Sequence, residues 1–217
     1  MKSQLNKLGK SKSFLNRYTN LPVLLDILVH KHLVLLDPSS WEDRNDSYYL
    51  ERYKAEKNLK TVLALCFSRR RETFHQWKVF SSGPGGVCIE FDEAELLRGL
   101  SYQKGFRLRN IRYELIKTIR STTPKIMDWP FIKRIPFKDE DEFRIVYENR
   151  VAEEATKEIP IPISSILKIT LSPWMPESVA SSVTGILNGL PDCGAITVQR
   201  SSLLQNAVWQ AAIKPKK

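Results

Sequence analysis

The sequence predicts an α+β fold, with mixed or antiparallel sheets flanked by helices. Three observations predict it. Short apolar runs rich in β-formers occur at Val62–Phe67, Val87–Phe91, Phe143–Tyr147 and Ile166–Leu171, and most are bounded by polar, glycine or proline residues. Helical patterns fall between these runs without the regular crossover rhythm of a doubly wound parallel sheet. Finally, the 217 residues show no internal repeat and no long low-complexity linker, so 14–213 reads as one domain with one core. The basic segments 1–13 and 214–217 are expected to be mobile tails.

Taken in order, Phe14 to Tyr18 forms a first strand. Thr19 or Asn20 caps a helix with Pro22 in its first turn, and Leu24, Leu25, Ile27 and Leu28 supply its core face. His30 and His32 are expected to end that helix. Leu33 to Leu36 makes a second strand, closed by the turn chemistry of Asp37-Pro38-Ser39-Ser40. A helix then starts at Asp46 or Ser47 and carries Tyr48, Tyr49, Leu50 and Tyr53.

The central strands follow, 62–67 and 87–91, with Cys66, Val87 and Ile89 expected to be buried, as is Ile145 in a later strand. Their connection holds Ser68, the triplet Arg69-Arg70-Arg71, and Glu72 through Trp77. That density of hydroxyl, imidazole, carboxylate and indole marks it as the segment most suited to line a site. Gly83-Pro84-Gly85-Gly86 precedes a strand rather than opening a helix, so it reads as a turn and not as a phosphate cradle.

Asp92 caps a brief helix, Glu93 to Leu100. Gly105 to Glu114 reads as one strand with Arg107 and Arg109 on one face, followed by a helical piece to about Met127. Pro160 and Pro162 assign their segment to an edge or a connector. Pro176 to Leu190 is a helix and Ala195 to Gln199 a last strand.

Composition narrows the function classes. The three cysteines form no disulfide framework, and Cys66 and Cys88 read as small core hydrophobes. No apolar run is long enough to cross a bilayer, and no apolar signal core follows the N-terminus, so the expected compartment is the cytoplasm. The net charge of +10 suits a polyanionic partner, or simply a soluble basic surface. There is no G-x-x-x-x-G-K-[ST] loop, no zinc-ligand spacing and no G-x-S-x-G elbow. These absences argue against a P-loop NTPase, a metalloenzyme or an ordinary serine hydrolase, and no metal is predicted.

Glu140 and Glu142 remain as a Glu-x-Glu pair opening a strand. Adjacent carboxylates push their pKa values apart, as acid/base roles require, although an acidic turn with solvated charges has the same pattern. Trp77 reads more as a core anchor than as a stacking platform.

Several blocks together carry a resemblance. Pro38-Ser39-Ser40-Trp41-Glu42-Asp43, Cys66-Phe67-Ser68, His75-x-Trp77, Gly86-Val87-Cys88-Ile89-x-Phe91 and Glu140-x-Glu142-x-Arg144 resemble successive blocks of a bacterial family, domain of unknown function 2971. Arg17-Tyr18-Thr19 and Ser172-Pro173-Trp174 fit a subgroup of it. Two positions depart: Phe80 replaces a common tyrosine, and Arg44-Asn45-Asp46 replaces a common Pro-Phe-Glu.

The block order is similar to that of ADP-ribosyltransferases, which implies a split sheet and NAD as co-substrate. On that resemblance Glu142 would hold a ribose hydroxyl while nicotinamide leaves, and Glu140 would assist the acceptor. Ser68 would brace Glu142, Arg17 would meet phosphate or ribose oxygens, and Tyr18 or Trp77 would flank nicotinamide. His75 is counted among the groups expected at the NAD site. The implied biology is a toxin or phage-defence effector acting on a nucleic-acid or protein acceptor. The alternative is a non-catalytic basic module that binds nucleic acid or a protein through Arg69, Arg70, Arg71, Arg107 and Arg109.

Overall fold

The computed structural model describes residues 13–81 and 83–213, so the tails expected at 1–13 and 214–217 lie outside the described residues except for Ser13. The first half runs β1 (Phe14–Asn20), α1 (Leu21–His30), β2 (His32–Leu36), α2 (Arg44–Glu56), β3 (Thr61–Ser68), α3 (Phe74–Phe80), β4 (Gly86–Asp92) and α4 (Glu93–Leu96). The second continues with β5 (Phe106–Asn110), β6 (Arg112–Glu114), α5 (Ile116–Ser121), β7 (Ile132–Arg134) and β8 (Glu142–Asn149). It ends with β9 (Thr156–Pro160), β10 (Ile166–Leu171), α6 (Glu177–Asn188), β11 (Thr197–Arg200) and α7 (Ala207–Ala211).

The fold is α+β with a mixed sheet. The large sheet has the order β11-β10-β4-β1-β3-β2-β9, with β8 paired to β3 and β5 paired to β8. Every pairing in it is antiparallel except β10–β11, and a small separate sheet joins β6 and β7 in parallel.

Strand β3 organises this arrangement. It pairs with β8 along its whole length, from Thr61 opposite Asn149 to Ser68 opposite Glu142. Its other edge is met by β1 at only one position, Asn16 opposite Ser68, and by β2 at one, Leu36 opposite Ala64. The sheet therefore parts beside β3.

Alternation along β3 and β8 sends Leu63, Leu65, Phe67, Phe143 and Ile145 into the main core, where they join residues such as Leu15, Ile89 and Phe91. The opposite face begins apolar, with Val62, Ala64 and Val146 under Leu50 and Tyr53 of α2. It then changes character. The next residues on that face are Cys66 and Ser68 of β3, beside Arg144 and Glu142 of β8.

Local chemistry explains where expectation and structure part. Asn20 caps α1 by accepting from the Val23 amide, and Leu24, Ile27 and Leu28 are buried. Lys31 then turns left-handed, so only His30 ends the helix and His32 already belongs to β2. Helix α2 starts before Asp46 because the Asp43 carboxylate caps it, accepting from the Asn45 and Asp46 amides. This puts Asp46 in the first turn and buries it.

The strand expected over 105–114 breaks at Ile111, whose side chain is buried against the α2 core and whose amide bonds the Glu142 carbonyl. Its two halves join different sheets. The helix expected over 93–100 is a single turn followed by a short 3-10 segment. Val87, Ile89 and Ile145 are fully buried, but Cys66 is half-buried because the face it shares with Ser68 is left open. No helix among the described residues is long and apolar enough to cross a membrane.

Candidate active site

Where the second face of β3 and β8 turns polar, a cavity of about 360 Å³ opens, a size within the range of small-molecule sites. Strand β1 contributes Asn16, Arg17 and Tyr18, β3 contributes Cys66 and Ser68, and the end of α3 adds Val79 and Phe80. Although the chain carries a net +10, five carboxylates line the cavity against three cations.

The β8 wall is a closed charge network. Arg144 is fully buried and binds both oxygens of Asp46, at 2.8 and 2.6 Å. Its Nε donates to Glu142 Oε1 at 2.6 Å, and Nη1 also donates to the Pro130 carbonyl at 2.9 Å. Trp41 stacks on this guanidinium, 4.8 Å from ring centre to Cζ. Lys133 Nζ lies 2.5 Å from Glu140 Oε2, 3.2 Å from Glu142 Oε2 and 3.6 Å from Asp46 Oδ2. Ion pairing this extensive is what makes burial of these charges tolerable.

The two glutamates are driven apart by their surroundings. Burial pushes the Glu140 carboxyl up to about 7, even though Lys133 opposes the shift. Burial would raise Glu142 as well, but Arg144 and then Lys133 outweigh it and hold that carboxyl at about 2. Only Glu142 touches both cations, so a proton entering the pair resides on Glu140. Alternation along one strand is not what brings the pair together. Glu140 ends a 3-10 segment, Asp141 turns left-handed with φ 45°, and only then does β8 begin.

Ser68 does not brace the Glu142 carboxylate. Its hydroxyl donates to the Glu140 backbone carbonyl at 2.7 Å and accepts from Gln76 Nε2 at 2.6 Å and the Arg70 amide at 3.1 Å. That fills the bonding capacity of a hydroxyl and holds the turn that carries Glu140. Gln76 passes the chain on, accepting at its Oε1 from Tyr18 Oη at 3.0 Å. Burial raises the Tyr18 phenol above its ordinary pKa.

The β1 wall is different. Arg17 is half-buried, and its one hydrogen bond among the described residues runs from Nη1 to the Cys66 carbonyl at 3.4 Å. Its Nε is buried with no partner, and among the described residues no carboxylate pairs with it. Burial draws its pKa below the ordinary arginine value, yet an arginine remains charged.

The cavity thus gathers Arg17, Tyr18, Ser68, Glu140 and Glu142. It does not gather His75, which is exposed on α3. Trp77 is fully buried behind Tyr18, edge-to-face at 5.1 Å, with its indole N–H bonded to Glu72. Trp41, Phe67, Phe80 and Phe137 are the aromatic residues that line the cavity with Tyr18.

The arginines expected to form a basic face are mostly spent. Arg69 grips Glu93 through two nitrogens, Arg70 meets Asp139 at 3.2 Å, Arg107 meets Glu148 at 3.0 Å and Arg109 meets Asp128 at 3.0 Å. Arg71 has no such carboxylate among the described residues and lies over the Phe14 ring. No cluster of three metal-ligating side chains occurs among the described residues.

Sequence reasoning missed Asp46, Lys133, Gln76 and Trp41 as site residues, and quoted Arg144 without a role. Arg144 could have been found, because two residues along a strand from Glu142 is the same face.

No family model and no curated protein matches the chain, so the membership suggested by the sequence blocks finds no support. Among solved structures the chain is similar to DarT from Thermus sp. 2.9. The complex with ADP-ribosylated ssDNA aligns at TM-score 0.46 and 11% identity, over 88% of this chain and 94% of that one. The carba-NAD+ complex gives 0.46 and 11%, and the NAD+ complex 0.45 and 10%, each over 88% of this chain and 96% of that one. This is a likeness of chain path and assigns no residue a role.

Proposed function

We propose that the cavity binds NAD and that the protein is an ADP-ribosyltransferase or NAD-cleaving enzyme. One observation carries the reading: a guanidinium, Arg17, that pairs with no carboxylate among the described residues lines the same cavity as an ionised carboxylate held rigidly on β8, across β3. A ligand matching both has an anionic group and a centre that becomes positive. The diphosphate of NAD suits Arg17, since guanidinium is a strong phosphate partner. The ribose bearing nicotinamide suits Glu142.

In the reaction, the bond between ribose C1′ and the nicotinamide nitrogen breaks, and its electron pair leaves with neutral nicotinamide. Positive charge then develops on the ribose, as in glycoside cleavage. Glu142 is anionic across the whole working pH range and is immobilised by Arg144 and Lys133, so it stabilises that charge without reorganising. Glu140, with its carboxyl near 7, is the member able to take a proton from the attacking acceptor. The acceptor oxygen or nitrogen bonds C1′ as it loses that proton. No step requires a metal.

Nicotinamide release by the purified protein tests this reading. Glu142→Gln keeps a neutral group of the same shape, and release should fall by about 10²–10³-fold, the usual loss for one preorganised electrostatic contact. A wild-type protein that neither binds NAD nor releases nicotinamide overturns the proposal.

A further inference from the structure

The β1 wall holds a second unsatisfied group. Asn16 is 4% exposed and lines the cavity, and its Nδ2 donates to the Arg70 carbonyl at 2.8 Å. A carbonyl can only accept, so this bond fixes the orientation of the amide: the flipped form would set two oxygens against each other. The remaining atom, Oδ1, is buried and has no partner among the described residues. Native interiors rarely leave such an acceptor unpaired. The neighbouring orphan, Arg17 Nε, makes no hydrogen bond to it.

We infer that Asn16 Oδ1 accepts a hydrogen bond from the carboxamide N–H of a nicotinamide ring and thereby selects the amide form of the dinucleotide. This rests on the NAD reading above. The diphosphate offers only acceptors, which suit Arg17 and not Asn16. The ribose hydroxyls are donors, and the carboxylates of Glu140 and Glu142 are there to receive them. The carboxamide is then the donor left at the reacting end. Tyr18 lies two residues along β1 from Asn16, on the same strand face, where it can flank the ring. Nicotinic acid adenine dinucleotide carries a carboxylate at this position, with no proton to give, and would bring a negative oxygen against Oδ1.

Calorimetric titration of the full chain with three ligands tests the inference: NAD, nicotinic acid adenine dinucleotide, and ADP-ribose, which lacks the ring. The wild type should bind NAD about ten-fold or more tightly than the acid form, the scale of one hydrogen bond to a group otherwise left unpaired. Asn16→Ala should bring the two dinucleotides to similar affinity while leaving ADP-ribose binding unchanged. The wild-type comparison needs no variant, so the test holds even if loss of the Arg70 anchor unfolds Asn16→Ala. Equal wild-type affinity for the two dinucleotides overturns the role of Asn16 and leaves the NAD reading standing. Failure of all three ligands to bind overturns the NAD reading itself.

Discussion

Two arginines line one cavity and stand in opposite conditions. Arg144, on β8, is fully buried, and its donors are taken up by Asp46, Glu142 and the Pro130 carbonyl. Among the described residues Arg17, on β1, makes one long hydrogen bond and keeps a buried Nε without a partner. Both are cations on strands flanking β3, so strand position does not separate them. The difference lies in whether the chain supplies the counter-charge. A guanidinium neutralised from within supports the structure around it, whereas one left open is available to a ligand.

The largest expected effect comes from the closed wall. Arg144→Met removes the positive charge that Asp46 and Glu142 share and leaves both carboxylates buried, with Lys133 alone to serve them. Breaking a buried ion pair from one side typically costs about 3–5 kcal/mol. Urea unfolding should show a loss on that scale. A loss below about 1 kcal/mol would mean that the network is hydrated and that the contrast with Arg17 has no energetic basis.

The next effect is smaller and depends on pH. Glu140 has its carboxyl raised to about 7 from an ordinary 4.5, first by burial, with Glu142 and Asp46 adding to the shift and Lys133 opposing it. Between about pH 4.5 and 7 the unfolded chain has lost this proton while the folded chain keeps it. The folded state therefore binds more protons, and stability falls as pH rises through that window. Glu142 acts in the other direction: held near 2, it adds stability as pH rises from about 2 to 4.5. Subtracting the Glu140→Gln stability curve from that of the wild type isolates the first effect. The difference should decline from about pH 4.5 to 7 and level off above. A flat difference would show that Glu140 is ionised throughout and does not hold the proton of the pair.

The strands that frame this cavity could be read from the chain because their signals are local. Val62–Phe67, Val87–Phe91 and Phe143–Tyr147 each carry a short apolar run, and β3, β4 and β8 extend each by only one or two residues at either end. Much of the site could not be read so directly. Asp46 and Arg144 are 98 residues apart, and nothing in either neighbourhood announces the other. Lys133 lies among prolines with no periodic pattern, and its contacts with Glu140 and Glu142 depend on the left-handed turn at Asp141. His75 shows the reverse failure. Its spacing from Trp77 was legible, but α3 buries Gln76 and Trp77 and leaves His75 in solvent. The arginine triplet was equally visible as a charge run, while the carboxylates that neutralise Arg69 and Arg70 come from distant Glu93 and Asp139.

The smallest expected change in stability is the most informative about the comparison. Arg17→Met keeps an unbranched side chain of similar reach and removes the charge. The folded protein loses one weak hydrogen bond, to the Cys66 carbonyl, and is relieved of a buried donor that has no partner among the described residues. These terms oppose each other, so stability should stay within about 0.5 kcal/mol of wild type, far from the Arg144→Met loss. Ligand binding should respond in the opposite way. A charge-assisted contact to a phosphate contributes about 1.5–3 kcal/mol, so NAD affinity should fall by roughly 10- to 100-fold. Unfolding and NAD titration on the same preparation measure both quantities. If Arg17→Met destabilises as much as Arg144→Met and leaves NAD affinity unchanged, Arg17 is a structural residue and the open wall is not where the ligand is held.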